Sequence, residues 1–141
     1  MGDGELNEGS CWEAVMVANA YKLDNLTFVI DRNKFQANMA TEDLIPLEPL
    51  VDKFEAFGAS VTRIDGHNFQ DLENAFTEIL TKKGKLNVII ADTVRGKGLP
   101  SIEARADRWF CNFSEHEVQQ LLEELHGEHE AMIESEVMVV R

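Results

Sequence analysis

The sequence predicts an α/β domain: a parallel sheet with helices on both faces. Three observations carry that expectation. Apolar runs of strand length occupy residues 26–30 and 86–91, and an alternating run occupies 60–64. Helical patterns fill the intervals between them. The order is strand, helix, strand, helix, strand, which suits one layered unit with its strands ending together on one edge. A length of 141 residues fits one domain.

The elements follow in chain order. Residues 2–9 read Gly2-Asp3-Gly4-Glu5-Leu6-Asn7-Glu8-Gly9, a turn. Over residues 10–22, Trp12, Val15, Met16 and Ala20 fall near helical period, and Ser10 with Glu13 can form a capping box. Asp24-Asn25 is a turn signal. The run Leu26-Thr27-Phe28-Val29-Ile30 reads as a strand buried on both faces. Residues 38–59 read as a loop, marked by Thr41-Glu42-Asp43 and Pro46, and then a helix closed by Gly58. That helix places Leu47, Leu50, Val51, Phe54 and Phe57 on one face. Asp65-Gly66-His67-Asn68 is a turn. Residues 69–80 form an amphipathic helix with Leu72, Ala75, Phe76, Ile79 and Leu80 inward. Residues 93–98 make another loop on the strand-end edge, and 101–113 a surface loop. Ser114-Glu115-His116-Glu117 starts a further helix, striped by Val118, Leu121, Leu122 and Leu125. Eight glutamates lie between Glu115 and Glu136, most simply a solvated face. The end, Val137-Met138-Val139-Val140, is β-prone and expected to pair with an open sheet edge, in its own chain or a partner's.

Composition narrows the classes. The chain is 44% hydrophobic and 28% charged, enough to bury a core. A net charge of -13 argues against nucleic acid and anionic membranes as partners. No apolar run is long enough to span a bilayer. Cys11 and Cys111 lie far apart and form no metal-binding spacing. A reduced cytoplasmic setting is the expectation.

The first thirty-five residues carry the chemistry. The residues before a crossover helix and those after its return strand lie at one sheet edge, where open α/β sheets bind ligands. Asp3 and Asn33 are therefore expected as neighbours. A carboxylate from Asp3, an amide oxygen from Asn33 and a backbone carbonyl near Phe35 would supply about half of a six-oxygen shell for Mg²⁺ or Ca²⁺. Diphosphate oxygens and water would finish it. Gly2 and Gly4 allow a tight turn and close approach to the ligand. The helix after Gly9 points its N-terminus at the anion. Asp3 can also be read as plain turn chemistry.

These pieces resemble the thiamine-diphosphate motif, and more narrowly the diphosphate-binding domain of transketolase. The resemblance rests on Gly2-Asp3-Gly4, the following Leu6-Asn7-Glu8-Gly9, and Asp31-Arg32-Asn33-Lys34 at the end of the next strand. Pro46-Leu47-Glu48-Pro49-Leu50, Phe57-Gly58-Ala59, Ile64-Asp65-Gly66-His67 and residues 93–98 agree, and the match fades after Trp109. It implies thiamine diphosphate with Mg²⁺ or Ca²⁺ as cofactors, cofactor contacts from Gly2, Asp3, Gly4, Glu5, Asn33 and Phe35, and metal ligation by Asp3, Asn33 and Phe35. Glu5 and Glu8 read more often as plain helix-start acids. Glu8 and Glu13 match acids near the family's dimer interface. His67 reads as a turn residue. Arg95 and Lys97 could offer charge to a phosphate, in a loop that in the family mostly shapes the site.

The resemblance also implies what this sequence lacks. A strand and helices precede the Gly-Asp-Gly turn in the family, and a second domain grips the cofactor's pyrimidine ring and carries its activating glutamate. Phe110 stands where the family usually has a histidine. The expected organisation is a truncated cofactor domain over residues 1–113, with an acidic helix and apolar tail over 114–141 as part of it. This is a fragment or a natural short form. Two functions follow. One is the diphosphate anchor of a ketol transferase acting on sugar phosphates, as a homodimer or with a separate pyrimidine-binding chain. The other is a non-catalytic, dimer-forming remnant that binds no cofactor.

Overall fold

A computed structural model describes residues 1–108 and 112–134. The chain opens with a short 3-10 helix, Asp3–Asn7, followed by α1 (Gly9–Ala20) and β1 (Thr27–Arg32). A small hairpin, β2 (Phe35–Gln36) and β3 (Met39–Ala40), leads into α2 (Thr41–Leu44) and α3 (Leu50–Ala56). Then come β4 (Ser60–Asp65), α4 (Phe69–Ile79), β5 (Asn87–Asp92) and, after a loop with a 3-10 turn at Ala106–Arg108, α5 (Glu115–Leu125).

The three long strands form a parallel sheet in the order β1-β5-β4. Arg32, Asp92 and Asp65 stand at one level across the three strands, so all three end on one edge. β5 is central and its Val88, Ile89, Ile90 and Ala91 are buried, as a strand covered on both faces should be. Val88 and Ile90 join a core with Val15 and Ala18 of α1 and Leu50 and Phe54 of α3. Trp12 stacks on Phe54 at 5.0 Å between ring centroids and donates Nε1–H to the Leu6 carbonyl at 2.7 Å. α4 packs on β4 with Ala75 buried. The sheet with flanking helices is the architecture the sequence predicts.

Several elements differ from expectation in instructive ways. α1 starts at Gly9 with Glu8 as N-cap and no side-chain cap, so the Ser10–Glu13 capping box does not form. β1 runs past the apolar segment to Arg32, and Leu26 lies outside it. β1 is not buried on both faces. Thr27, Phe28 and Val29 are half-buried and Asp31 is exposed, and the free edge of β1 carries a parallel bridge between Gly2 and Asp31. Residues 38–46, expected as loop, contain β3 and the short α2, and Leu47 precedes α3 instead of belonging to it. Gly58, at φ 93°, closes α3 in the left-handed region as a helix stop should.

On α4 the expected inward set fails at Phe76 and Leu80, which are exposed, because the three-stranded sheet is too narrow to cover the whole stripe. α5 does begin at Ser114 with a capping box to Glu117. Its stripe of Val118, Leu122 and Leu125 is exposed, however, while Glu117 and Glu124 are buried. Glu124 accepts from the Ser101 N–H and hydroxyl at 2.9 and 2.7 Å, and Glu117 accepts from the Ser114 and Glu134 N–H groups. The glutamates anchor the helix, which a solvated-face reading missed. The expected pairing of residues 137–140 and the positions of Trp109, Phe110 and Cys111 lie outside the described residues. Among the described residues no helix is long and apolar enough to cross a membrane.

Phe54 is fully buried at the junction of α3, α1 and β5. Phe54→Ala should cost about 3–5 kcal/mol, read as a lower urea midpoint at unchanged slope.

Candidate functional site

The start of the chain is held beside the end of β1. The Asp31 N–H donates to the Met1 carbonyl at 2.9 Å, and the 3-10 helix then turns Asp3 into the loop after β1. Asp3 is 0% exposed. Its Oδ2 accepts from the Lys34 N–H at 2.7 Å and from Arg32 Nη1 at 2.6 Å. One residue away, Asn33 Oδ1 accepts from the Phe35 N–H at 3.0 Å, and Asn33 Nδ2 donates to Asp31 Oδ2 at 3.3 Å. Asp3 and the Asn33 loop, far apart in sequence, are thus in direct contact through backbone and side chain. The second oxygen of Asp3, Oδ1, is buried and has no hydrogen-bond partner among the described residues.

A cleft of about 410 Å³ opens at this edge, lined by Gly2, Gly4, Glu5, Asn33, Phe35 and Arg95. Asp3 lies behind that wall. The expected tight turn is present, closed by the Glu5 N–H on the Gly2 carbonyl at 3.2 Å, and neither glycine takes a positive φ in it. Gly4 is needed for a different reason: a Cβ there would lie 2.8 Å from Gln36 Cβ. The two loops can close on each other only at a glycine. Gly2 has nothing within 4 Å of where a Cβ would stand, so its side stays open. Glu8, the N-cap of α1, lines the same cleft.

Arg95 reaches in from the loop after β5. Its guanidinium lies 4.7 Å from the Phe35 ring centroid and donates to the Ala37 carbonyl at 2.6 Å. Burial lowers its pKa from the usual arginine value, and Asp3 and Asp31 oppose that shift. Asp31, which lines the cleft with Glu5 and Glu8, accepts from the Thr93 hydroxyl and fixes the β1 and β5 ends together. Lys97 does not line this cleft. It pairs with Glu103 at 3.5 Å and lines a neighbouring cleft of about 590 Å³ with Lys34 and His67. His67 Nε2 accepts from the Val94 N–H at 2.7 Å, a link between two loops.

The donor set is oxygen only. Among the described residues no three His, Cys, Asp or Glu side chains group as a metal site, so a cation here would depend on one buried carboxylate, an amide oxygen and backbone carbonyls. The orphaned Oδ1 of Asp3 and the remaining lone pair of Asn33 Oδ1 suit a hard cation such as Mg²⁺ or Ca²⁺.

Sequence reasoning missed the charge network behind the cleft. Arg32 is 2% exposed and meets Asp3, Glu42 and Glu48 at 2.6, 2.7 and 3.3 Å. Its Nη1 also donates to Thr41 Oγ1 at 2.8 Å. Glu48 bonds Arg63 at 3.1 Å, and Arg63 grips Asp92 through two nitrogens at 2.7 and 2.8 Å. A signal was available: residues two apart share a strand face, so extending β1 from Ile30 puts Arg32 on the core side. Burial pushes the Glu48 carboxyl up, but the Leu50 N–H, Arg63 and Arg32 outweigh it and bring its pKa down to about 2.

A narrow parallel sheet, a cleft on its carboxyl edge and a buried acid facing a turn define an α/β domain whose cleft lies where open sheets of this kind bind ligands. The family model for the transketolase thiamine diphosphate binding domain matches residues 1–139, and the chain belongs to that family. A transketolase family protein of Sinorhizobium fredii is 44% identical over 116 residues, covering 82% of this chain and 42% of the relative. One subunit of the apulose-4-phosphate transketolase of Actinobacillus succinogenes is 41% identical over 128 residues, covering 90% of this chain and 46% of the relative. The chain thus spans less than half the length of either relative. The crystal structure of transketolase from Campylobacter jejuni superposes with a TM-score of 0.69 at 32% identity, over 74% of this chain and 16% of that one.

Glu48 gives a pH test of the network. Its folded pKa lies below its ordinary 4.5, so its contribution is present above that value and disappears as pH falls through about 2. Glu48→Gln should therefore be less stable than the parent at pH 7. Urea titrations should show the difference narrowing between about pH 4.5 and 2. A difference constant over that window would detach Glu48 from the arginines.

Proposed function

We propose that this chain is the diphosphate-anchoring part of a transketolase-like enzyme that transfers two-carbon ketol groups between sugar phosphates. It binds thiamine diphosphate through a Mg²⁺ or Ca²⁺ ion held by Asp3, Asn33 and the backbone carbonyl of Phe35. The observation that carries this reading is the buried, partnerless Oδ1 of Asp3. A desolvated carboxylate oxygen with no donor is costly, and a cation removes that cost. Gly2, Gly4 and Glu5 line the cleft beside it, and Arg95 adds positive charge to the wall. When bound, the thiazolium supplies carbanion stabilisation. The chain supplies position and charge.

A partner completes the site. The Actinobacillus relative is named as one subunit of its enzyme, which supports a separate pyrimidine-binding chain here. The exposed Met16, Val17 and Tyr21 of α1 offer an apolar face to a second copy, in keeping with a homodimer. One observation favours the non-catalytic reading. Arg32 already pairs with Asp3, which gives the acid a structural role that needs no cation.

Calorimetry separates the two. Thiamine diphosphate should bind the purified chain in Mg²⁺ and at least about tenfold more weakly in EDTA. Asp3→Ala and Asn33→Ala should lose the Mg²⁺-dependent part, with folding followed by circular dichroism. Equal binding by the parent with and without the metal would leave the remnant reading in place.

A further inference from the structure

The metal reading leaves one feature unexplained. Asp3 has two oxygens in chemically different surroundings. Oδ2 takes the Arg32 Nη1 at 2.6 Å and the Lys34 N–H at 2.7 Å, and Oδ1 takes nothing among the described residues. Arg32 is itself held at every nitrogen: Nη1 by Asp3 and Thr41, Nη2 by Glu42, Nε by Glu48. A counter-charge alone would not need that fixation. Two arginines, Arg32 and Arg63, face four carboxylates, Asp3, Glu42, Glu48 and Asp92, so the network keeps an excess of two negative charges. Arg32 therefore does not cancel the field that attracts a cation.

We propose that Arg32 is a positioning residue: by occupying Oδ2 of Asp3 it fixes the carboxylate with Oδ1 free, and so commits Asp3 to one-oxygen ligation of the cofactor's divalent cation. This rests on the reading given under Proposed function. A carboxylate free to rotate could present either oxygen or both. One locked by a planar fork and a backbone N–H presents one, at a fixed angle. Small octahedral cations demand such fixed geometry. Glu42, Thr41 and Glu48 act one step further out, by holding the fork.

Two physical accounts of Arg32 predict opposite signs. If it were merely a nearby positive charge, loosening or removing it would tighten cation binding. If it positions Asp3, loosening it weakens binding. Arg32→Lys keeps the charge and loses the fork. Thr41→Val leaves every charge in place and removes the hydroxyl that accepts from Nη1, so it loosens the fork without changing the field. Calorimetric titration with thiamine diphosphate, in Mg²⁺ and in EDTA, gives the affinity. The electron paramagnetic resonance spectrum of Mn²⁺ with the cofactor reports the order of the cation's shell. Arg32→Lys should weaken the Mg²⁺-dependent affinity about 10–100-fold and broaden the Mn²⁺ spectrum, leaving the affinity in EDTA unchanged. Thr41→Val should shift both in the same direction by less.

Variants that fold and bind Mg²⁺ with the cofactor as tightly as the parent, or more tightly, overturn the role of Arg32 and leave the cofactor reading standing. Thr41→Val decides this where Arg32→Lys does not fold. A parent chain whose cofactor affinity ignores Mg²⁺ overturns both.

Discussion

The structure depends on one guanidinium placed where water does not reach. Arg32 ends β1, and its three nitrogens meet the N-terminal 3-10 helix, α2 and the segment before α3. Such a charge is tolerable only because every donor is directed at an anion or hydroxyl. Removing a partner from a buried pair of this kind costs about 3–5 kcal/mol. The requirement is mutual. Asp3 is buried because Arg32 is there, and the hairpin and α2 sit where they do because Glu42 and Thr41 must reach the same group.

From that point the carboxyl edge is tied together by alternating charges. Arg32 passes to Glu48, Glu48 to Arg63, and Arg63 to Asp92, crossing from β1 to β4 and β5. Thr93 and Asp31 make a second tie between β1 and β5 at the same level. A sheet edge that would otherwise be three loose loops becomes a rigid rim. The cleft inherits its shape from that rim, with Gly4 against Gln36 on one side and Arg95 over Phe35 on the other.

Much of this was legible in the residues, and the failures share a cause. β5 was readable because its apolar run is unbroken and it is the central strand. The meeting of Asp3 with the Asn33 loop followed from topology alone. What escaped was tertiary: Arg32 looked like one more charged residue in a motif, and its burial depends on Glu42 and Glu48 arriving from other segments. The same holds for Glu117 and Glu124 of α5, which read as solvated until their partners Ser114, Ser101 and Glu134 are in place. The reverse error occurred at Phe76, Leu80 and Leu122, apolar positions left exposed because no layer among the described residues covers them. Local pattern reports what a side chain prefers. It does not report how much surface the rest of the chain can offer.

The strand order β1-β5-β4 has a consequence for how the molecule is made. β1 and β4 touch only through β5, the last of the three to be synthesised. At about 5–20 residues per second, β1 waits several seconds on the ribosome before its partner emerges. During that interval Phe28, Val29 and Ile30 wait for Val88, Ile89 and Ile90, a slow and non-local closure of the kind that exposes nascent chains to aggregation. The arrival of a single late strand thus zips the whole sheet, and with it the rim of the cleft.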